Sequence, residues 1–215
     1  MDKIRTVAEV ADLFRDGQTI MVGGFLCVGT SEIFVDALLK KGVRNITLIC
    51  NDTGFPNKGV GLLIVSKQIS KIIVSHVGTN KETGRQINAG EIEYELVPQG
   101  TLAERIRSAG AGLGGFLTPT GVGTIVEEGK QKLTVNGREY LLELPLRADI
   151  ALIHAWKADK LGNLVYRRAA RNFNTMMAMA ADLVVVSAEN IVEIGEIDPD
   201  EVMTPGAIVD MIVQA

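Results

Sequence analysis

The chain has 215 residues, 47% hydrophobic and 22% charged, a balance that suits one globular domain with a substantial core. Its formal net charge of −4, with acids and bases mixed and no basic stripe, argues against nucleic acid as a partner. The start, MDKIRTVAEVADLFRDGQ, is charged and lacks an apolar signal core, and no apolar run reaches the ~18 residues of a membrane span, so a cytoplasmic protein without membrane contact is expected.

The elements follow in chain order. TVAEVADLF carries Val7, Val10, Ala11 and Phe14 at helical spacing, with Thr6 and Glu9 placed as a capping box and Asp16-Gly17 expected to end the helix. QTIMV reads as a buried strand. Then comes VGGFLCVGTSE, with three glycines in eight positions and two bulky apolar residues between them. Ser31 is a candidate N-cap for EIFVDALLKK, with Glu32 at its start, Lys40 and Lys41 at its end and Gly42 as a left-handed cap. ITLIC follows as a strand, making a parallel βαβ unit.

KIIVS and YELVP read as further strands, and TLAERIRSA as a helix. A second glycine-rich stretch spans residues 110–124. KLTVNGREYLLEL is a hairpin turned at Asn136-Gly137. ADIALIHAW and ADLVVVSA are buried strands with a helix, NFNTMMAMAAD, between them. Turns are expected around Asp198-Pro199 and Thr204-Pro205-Gly206, then a short apolar end. The pattern is one α/β domain over residues 1–215, a mostly parallel sheet with flanking helices and an added β-hairpin.

Strand, glycines, helix N-terminus is an anion-binding geometry. Asp52 follows the next strand, which invites a dinucleotide reading. The glycine spacing, however, is not G-x-G-x-x-G, and no Walker Gly-Lys-Ser/Thr occurs. GAGLGG in the second stretch follows a helix pattern rather than a strand, yet six glycines between Gly110 and Gly123 still suggest a ligand near the backbone. Asn51 and Gln99 each fall just after a strand. In a parallel sheet that edge lines the ligand crevice, so both could converge with the first loop and offer donors to a carbonyl oxygen gaining charge. Gln99 could equally be a surface residue at a helix start. Cys27 and Cys50 form no disulfide framework and no metal site, and both are expected as buried free thiols. His76 and His154 belong to no evident triad.

DGQTIMVGGF, GVRNITLICND, LVPQGTLAERIRSAGAGLGGFLTPTGVGT, EGKQ, LPLRADIALI, GNLVYR, RNFN and DP…TPG occur in this order. Together they resemble the alpha subunit of family I coenzyme A transferases, most closely the acetate/butyrate–acetoacetate type, from the first helix to the C-terminus. The resemblance implies the CoA-transferase (NagB-like) fold. It also implies exchange of CoA between a short-chain acyl-CoA (acetyl-, butyryl- or acetoacetyl-CoA) and a free carboxylate such as acetate or acetoacetate. The CoA thioester is then a substrate, with no permanently bound cofactor. The family's nucleophile is a glutamate that forms an acyl-glutamyl anhydride and then a glutamyl thioester, in ping-pong fashion. It belongs to a beta subunit, inside Glu-Asn-Gly. SAEN, Ser187 to Asn190, lacks that glycine, and Glu189 is read instead as a polar residue at a strand end. An assembly of two alpha and two beta subunits is implied. Carried over residue by residue, Gln99 resembles the oxyanion donor, Asn51 an amide placing the reacting carboxyl groups, and Gly24, Phe25, Leu26, Cys27, Val28, Gly29 and Thr30 the CoA-contacting loop, with Phe25 and Leu26 packed to exclude water. Ser31 stands where the family signature has proline, and Thr175 likewise after RNFN; Ser31 is expected to cap the helix instead. Two other classes are compatible with the glycine loops alone: a non-catalytic α/β domain binding CoA or a sugar phosphate, and a nicotinamide dehydrogenase.

Overall fold

A computed structural model describes residues 3–215. Helix α1 (Val7–Ala11) opens on the expected capping box: the Thr6 hydroxyl accepts from Glu9 N at 3.2 Å, and the Glu9 carboxylate accepts from Thr6 N at 2.8 Å. The helix stops well before Asp16-Gly17. Leu13 N donates to Val10 O and Phe14 N to Ala11 O, so the last residues tighten into three-residue turns that still bury Phe14.

β1 (Thr19–Val22), α2 (Glu32–Lys41) and β2 (Ile46–Ile49) form the parallel βαβ unit, with Gly42 closing α2 at φ 71°. Then come α3 (Gly61–Val65), β3 (Ile69–Val74), α4 (Lys81–Asn88), β4 (Glu93–Leu96) and α5 (Gln99–Gly110). The hairpin β6 (Lys132–Val135) and β7 (Arg138–Glu143) turns through Asn136 and Gly137, both at positive φ as a two-residue turn requires. It is one strand larger than expected. β5 (Phe116–Thr118), cut from the second glycine-rich stretch, pairs antiparallel with β7.

β8 (Ala148–Asp159), β9 (Leu164–Val165), α6 (Asn174–Met177), β10 (Ala181–Val192) and β11 (Met211–Gln214) complete the chain. The helix expected over NFNTMMAMAAD is a single turn, because β10 must begin at Ala181 beside Ala148. The main sheet runs β11-β10-β8-β1-β2-β3-β4, all parallel, with β9 antiparallel to β8. Strand side chains alternate between two cores. Ile20 and Val22 face Phe34 and Leu38 of α2 and Leu63 of α3, while Met21, Ile49 and Ile73 face Leu102 and Ile106 of α5 and Met177 of α6. Each fully buried Phe or Leu stabilises the fold by about 1.5–3 kcal/mol.

Two consequences of this order position the site. The chain winds outward from β1 to β4 and then returns to β8 on the other side of β1, so the topological switch lies between β1 and β8 at the strands' C-terminal edge. β1 pairs with β8 only as far as Leu152, whereas β8 and β10 stay paired to Asp159 and Val192. Their ends therefore project past that edge.

Candidate functional site

The first glycine loop is a strained, clamped turn. Phe25 N donates to Val28 O at 3.0 Å and Val28 N to Phe25 O at 2.9 Å, leaving Leu26 (φ 47°) and Cys27 (φ 67°) as its two central residues. Both lie in the left-handed region although neither is glycine, a cost on the order of 1–3 kcal/mol each. Neighbouring groups over-determine the geometry. Leu26 N donates to Asp52 Oδ2 at 2.9 Å, Gly24 N to Asn172 Oδ1 at 3.1 Å, and Asn172 Nδ2 to Val28 O at 2.9 Å. The flanking glycines are needed for space. A Cβ on Gly23 would collide with the Asn174 amide oxygen, and one on Gly29 would stand 2.7 Å from Ala170 O.

Behind the turn, a polar chain links the other expected residues. Gln99 Nε2 donates to Asn51 Oδ1 at 2.8 Å, Asn51 Nδ2 to Asp52 Oδ2 at 2.7 Å, and Gly54 N to Asp52 Oδ1 at 2.9 Å. Ser75 Oγ also donates to Asn51 Oδ1 at 3.1 Å. Asn51 is only 2% exposed, whereas Gln99, the first residue of α5, is exposed. Phe25, Leu26, Asn51, Asp52, His76 and Gln99 line one cleft of about 370 Å³. The loop, Asn51 and Gln99 thus meet at one place. His76 was not anticipated there; its only sequence signal is its position just past β3.

Asp52, whose placement mimicked the ribose-binding acid of dinucleotide sites, spends its carboxylate on Leu26 N, Gly54 N and Asn51, in keeping with the glycine spacing that argued against such a site. Several expectations need correction. Phe25 and Leu26 are not packed away: Phe25 is 40% exposed and Val28 50%, because the turn lifts its tip off the sheet edge. Ser31 occupies the N-cap of α2, but its side chain makes no capping bond, and its buried hydroxyl has no partner among the described residues. The second glycine stretch contributes nothing to the Asn51–Gln99 cleft; Gly115 packs on Glu143 O and Gly121 on Val126. Cys50 is buried, but Cys27 at the turn tip is only half-buried. Burial pushes the Cys50 thiol well above its usual pKa, and partial burial raises that of Cys27, so neither is a ready thiolate.

His154 does have polar neighbours: Nδ1 stands 2.9 Å from Ser187 Oγ and Nε2 3.3 Å from Glu189 Oε1. Ser187 is fully buried, which removes it as a nucleophile. Glu189 is an exposed residue within β10, close to the strand-end reading. Among the described residues no group of three or more His, Cys, Asp or Glu side chains is placed to hold a metal, and no helix is long and apolar enough to cross a membrane.

Known proteins place this architecture. The chain is 57% identical over 211 residues to the acetate CoA-transferase subunit alpha of Escherichia coli K12, covering 98% of this chain and 96% of that one. It is 49% identical over 212 residues to the acetoacetyl-CoA:acetate/butyrate CoA transferase alpha subunit of Clostridium acetobutylicum, covering 99% and 97%. Among solved structures, an acyl-CoA transferase of E. coli O157:H7 in a thioester complex with CoA superposes with a TM-score of 0.89 at 20% identity, over all of this chain and 47% of that one. The glutaconate CoA-transferase of Acidaminococcus fermentans gives 0.87 at 19% identity, over 99% and 75%. At those identities the likeness is one of fold. The profile of the coenzyme A transferase family matches residues 4–215, and with relatives this similar over nearly their whole length, the chain belongs to the coenzyme A transferases, among their alpha subunits.

Proposed function

We propose that this chain, as one domain over residues 1–215, is the alpha half of a transferase that moves CoA between a short-chain acyl-CoA and acetate, butyrate or acetoacetate. The observation that carries the reading is the meeting of the Gln99 amide with a rigid glycine turn in one cleft. One N–H of Gln99 Nε2 is held by Asn51, and the second has no partner among the described residues. That donor is pre-oriented for a thioester oxygen gaining negative charge. Asn51, buried and fastened to Asp52 and Ser75, orients Gln99 and the reacting carboxyl groups. Gly24 to Thr30 form the wall against which the CoA thioester lies.

The nucleophile in this reading is a glutamate of a beta subunit, in an assembly of two alpha and two beta chains. Its carboxylate attacks the acyl-CoA carbonyl and expels the CoA thiolate, giving an acyl-glutamyl anhydride. The thiolate then attacks the glutamyl carbonyl, releasing the first carboxylate and leaving a glutamyl-CoA thioester. The second carboxylate takes the same two steps in reverse. Relatives bearing the names of acetate and acetoacetate enzymes support the choice of acids. The test is acetoacetyl-CoA plus acetate, assayed with this chain alone and co-expressed with a partner carrying Glu-Asn-Gly. Activity is expected only in the complex, and Gln99→Ala should cost about 10²–10³-fold in kcat. Full activity from the isolated chain, or an unchanged kcat in Gln99→Ala, overturns the reading.

A further inference from the structure

Apart from Phe25 and Leu26, the side chains lining the cleft that holds Gln99 are polar, and nearly all of them are tied to the protein. The Ser75 hydroxyl is spent on Asn51, 2.8 Å from its O and 3.1 Å from its Oδ1. Thr79 Oγ1 donates to Gly54 O at 2.7 Å. Asp52 accepts its three hydrogen bonds, and Asn51 is held by Asp52, Ser75 and Gln99. His76 is the exception. It is exposed, and its ring makes no hydrogen bond or ion pair with any described residue.

The fold fixes where that ring stands. His76 lies opposite Asp52 in a parallel bridge, one residue past the point where Ser75 N donates to Asn51 O at 2.9 Å. The next strand reaches the same edge: Val97 N donates to Val74 O at 2.9 Å, and Gln99 follows two positions later. The imidazole and the Gln99 amide therefore rise from the ends of neighbouring strands, spaced about 4.8 Å apart. The ring rests on Gly78. A Cβ there would stand 2.9 Å from His76 Cε1 and 3.1 Å from Nε2, so the bare backbone of Gly78 is what leaves the ring this seat.

The cleft thus holds two side chains with a donor to spare, the second N–H of Gln99 and a ring N–H of His76, which an imidazole offers in either charge state. Two donors match two acceptors on one acyl chain. A 3-oxoacyl thioester carries a second carbonyl two carbons from the thioester carbonyl, whereas acetyl and butyryl chains carry none. The apolar side formed by Phe25 and Leu26 accepts hydrocarbon from either kind of chain and discriminates poorly between them.

We propose that His76 is a specificity residue for 3-oxoacyl groups, its ring N–H meeting the 3-oxo oxygen while the second Gln99 N–H meets the thioester oxygen. This role rests on the transferase function proposed above and names the acyl class that the cleft favours.

The experiment uses the complex with the beta subunit. Acetate is the saturating acceptor, acetoacetyl-CoA and butyryl-CoA are compared as donors, and the acetyl-CoA formed is measured by chromatography. In His76→Phe the ratio of kcat/KM for acetoacetyl-CoA to that for butyryl-CoA should fall about tenfold. In His76→Gln, which keeps a donor, the ratio should lie closer to wild type than to His76→Phe. Gly78→Ala, which pushes the ring from its seat without removing it, should lower the ratio as well. A fall short of about threefold in His76→Phe overturns the proposal whatever happens to the absolute rates, since a ring that only supports the fold slows both donors alike. A ratio in His76→Gln as low as in His76→Phe also overturns it, because ring shape rather than a donor would then set the preference. Should His76→Phe fail to assemble with its partner, an unmoved ratio in Gly78→Ala overturns the proposal in its place. A wild-type complex that transfers from neither donor overturns the transferase function itself, an outcome distinct from an active wild type whose variants keep its ratio.

Discussion

Asp52→Ala tests whether the carboxylate behind the glycine turn is what holds that turn. Asp52 is 5% exposed and accepts three hydrogen bonds, from Leu26 N and Gly54 N at 2.9 Å and from Asn51 Nδ2 at 2.7 Å. Truncation leaves the buried Gly54 N–H unpaired, at about 1–3 kcal/mol. Leu26 N lies at the exposed tip and regains water, so its loss is smaller, and Asn51 loses a charge-assisted bond. Together these amount to about 2–4 kcal/mol of stability. The turn loses more than stability. Leu26 and Cys27 stay left-handed only while their surroundings enforce it, so the tip should become mobile and the Leu26 amide should exchange freely. The assay is urea unfolding together with amide hydrogen exchange read at Leu26. Asp52→Asn, which keeps the shape but turns one acceptor into a donor, should fall about midway. If Asp52→Ala loses less than ~0.5 kcal/mol, or if Leu26 stays protected, the clamp argument is wrong.

Ser31→Pro should raise stability by about 1 kcal/mol in the same unfolding assay, since φ is already −76° and the hydroxyl it removes is buried with no partner among the described residues; a loss of stability would show that the loop cannot accept the ring. Both thiols should alkylate more slowly than free cysteine at pH 8, with Cys50 labelled only after unfolding, which mass spectrometry of labelled peptides checks; fast labelling of Cys27 contradicts its raised pKa. Glu82 and Glu91 are both lowered to about 2, chiefly by hydrogen bonds from Arg85. A carboxylate lowered on folding adds stability that is present above the ordinary value of 4.5 and is lost as pH falls through about 2. An NMR titration of the carboxyl carbons should place both midpoints near 2, and midpoints near 4.5 would refute the cluster.

The features readable from the sequence are those whose partners lie a few residues away. Thr6 and Glu9 form their capping box within one turn, Gly42 takes its left-handed φ because α2 must stop, and Asn136-Gly137 makes its hairpin turn from its own backbone preferences. The apolar runs of β1, β2, β8 and β10 announce strands covered on both faces, which in turn announces a parallel sheet. From those strands alone, the C-terminal edge could be named as the place where the glycine loop, Asn51 and Gln99 meet.

Other features depend on partners that no local rule names. Asp52 falls where a dinucleotide site would keep its acid, a reading the glycine spacing already disfavours, and only the fold brings it to Leu26 N, 26 positions away. Asn174 reads as a helix residue and is the first of α6, but its amide is found bridging to Gly29 O, 145 positions away, only in the folded chain. The exposure of Phe25 and the Ser31 hydroxyl's lack of a partner among the described residues are likewise invisible until every neighbour is in place. The sequence by itself determined the strand and helix types, the parallel sheet, and the strained turn's place at the edge of that sheet. Only the tertiary structure decided what each polar group around the turn does, because a buried donor pairs with whichever acceptor the packing brings within 3 Å, however distant in the chain.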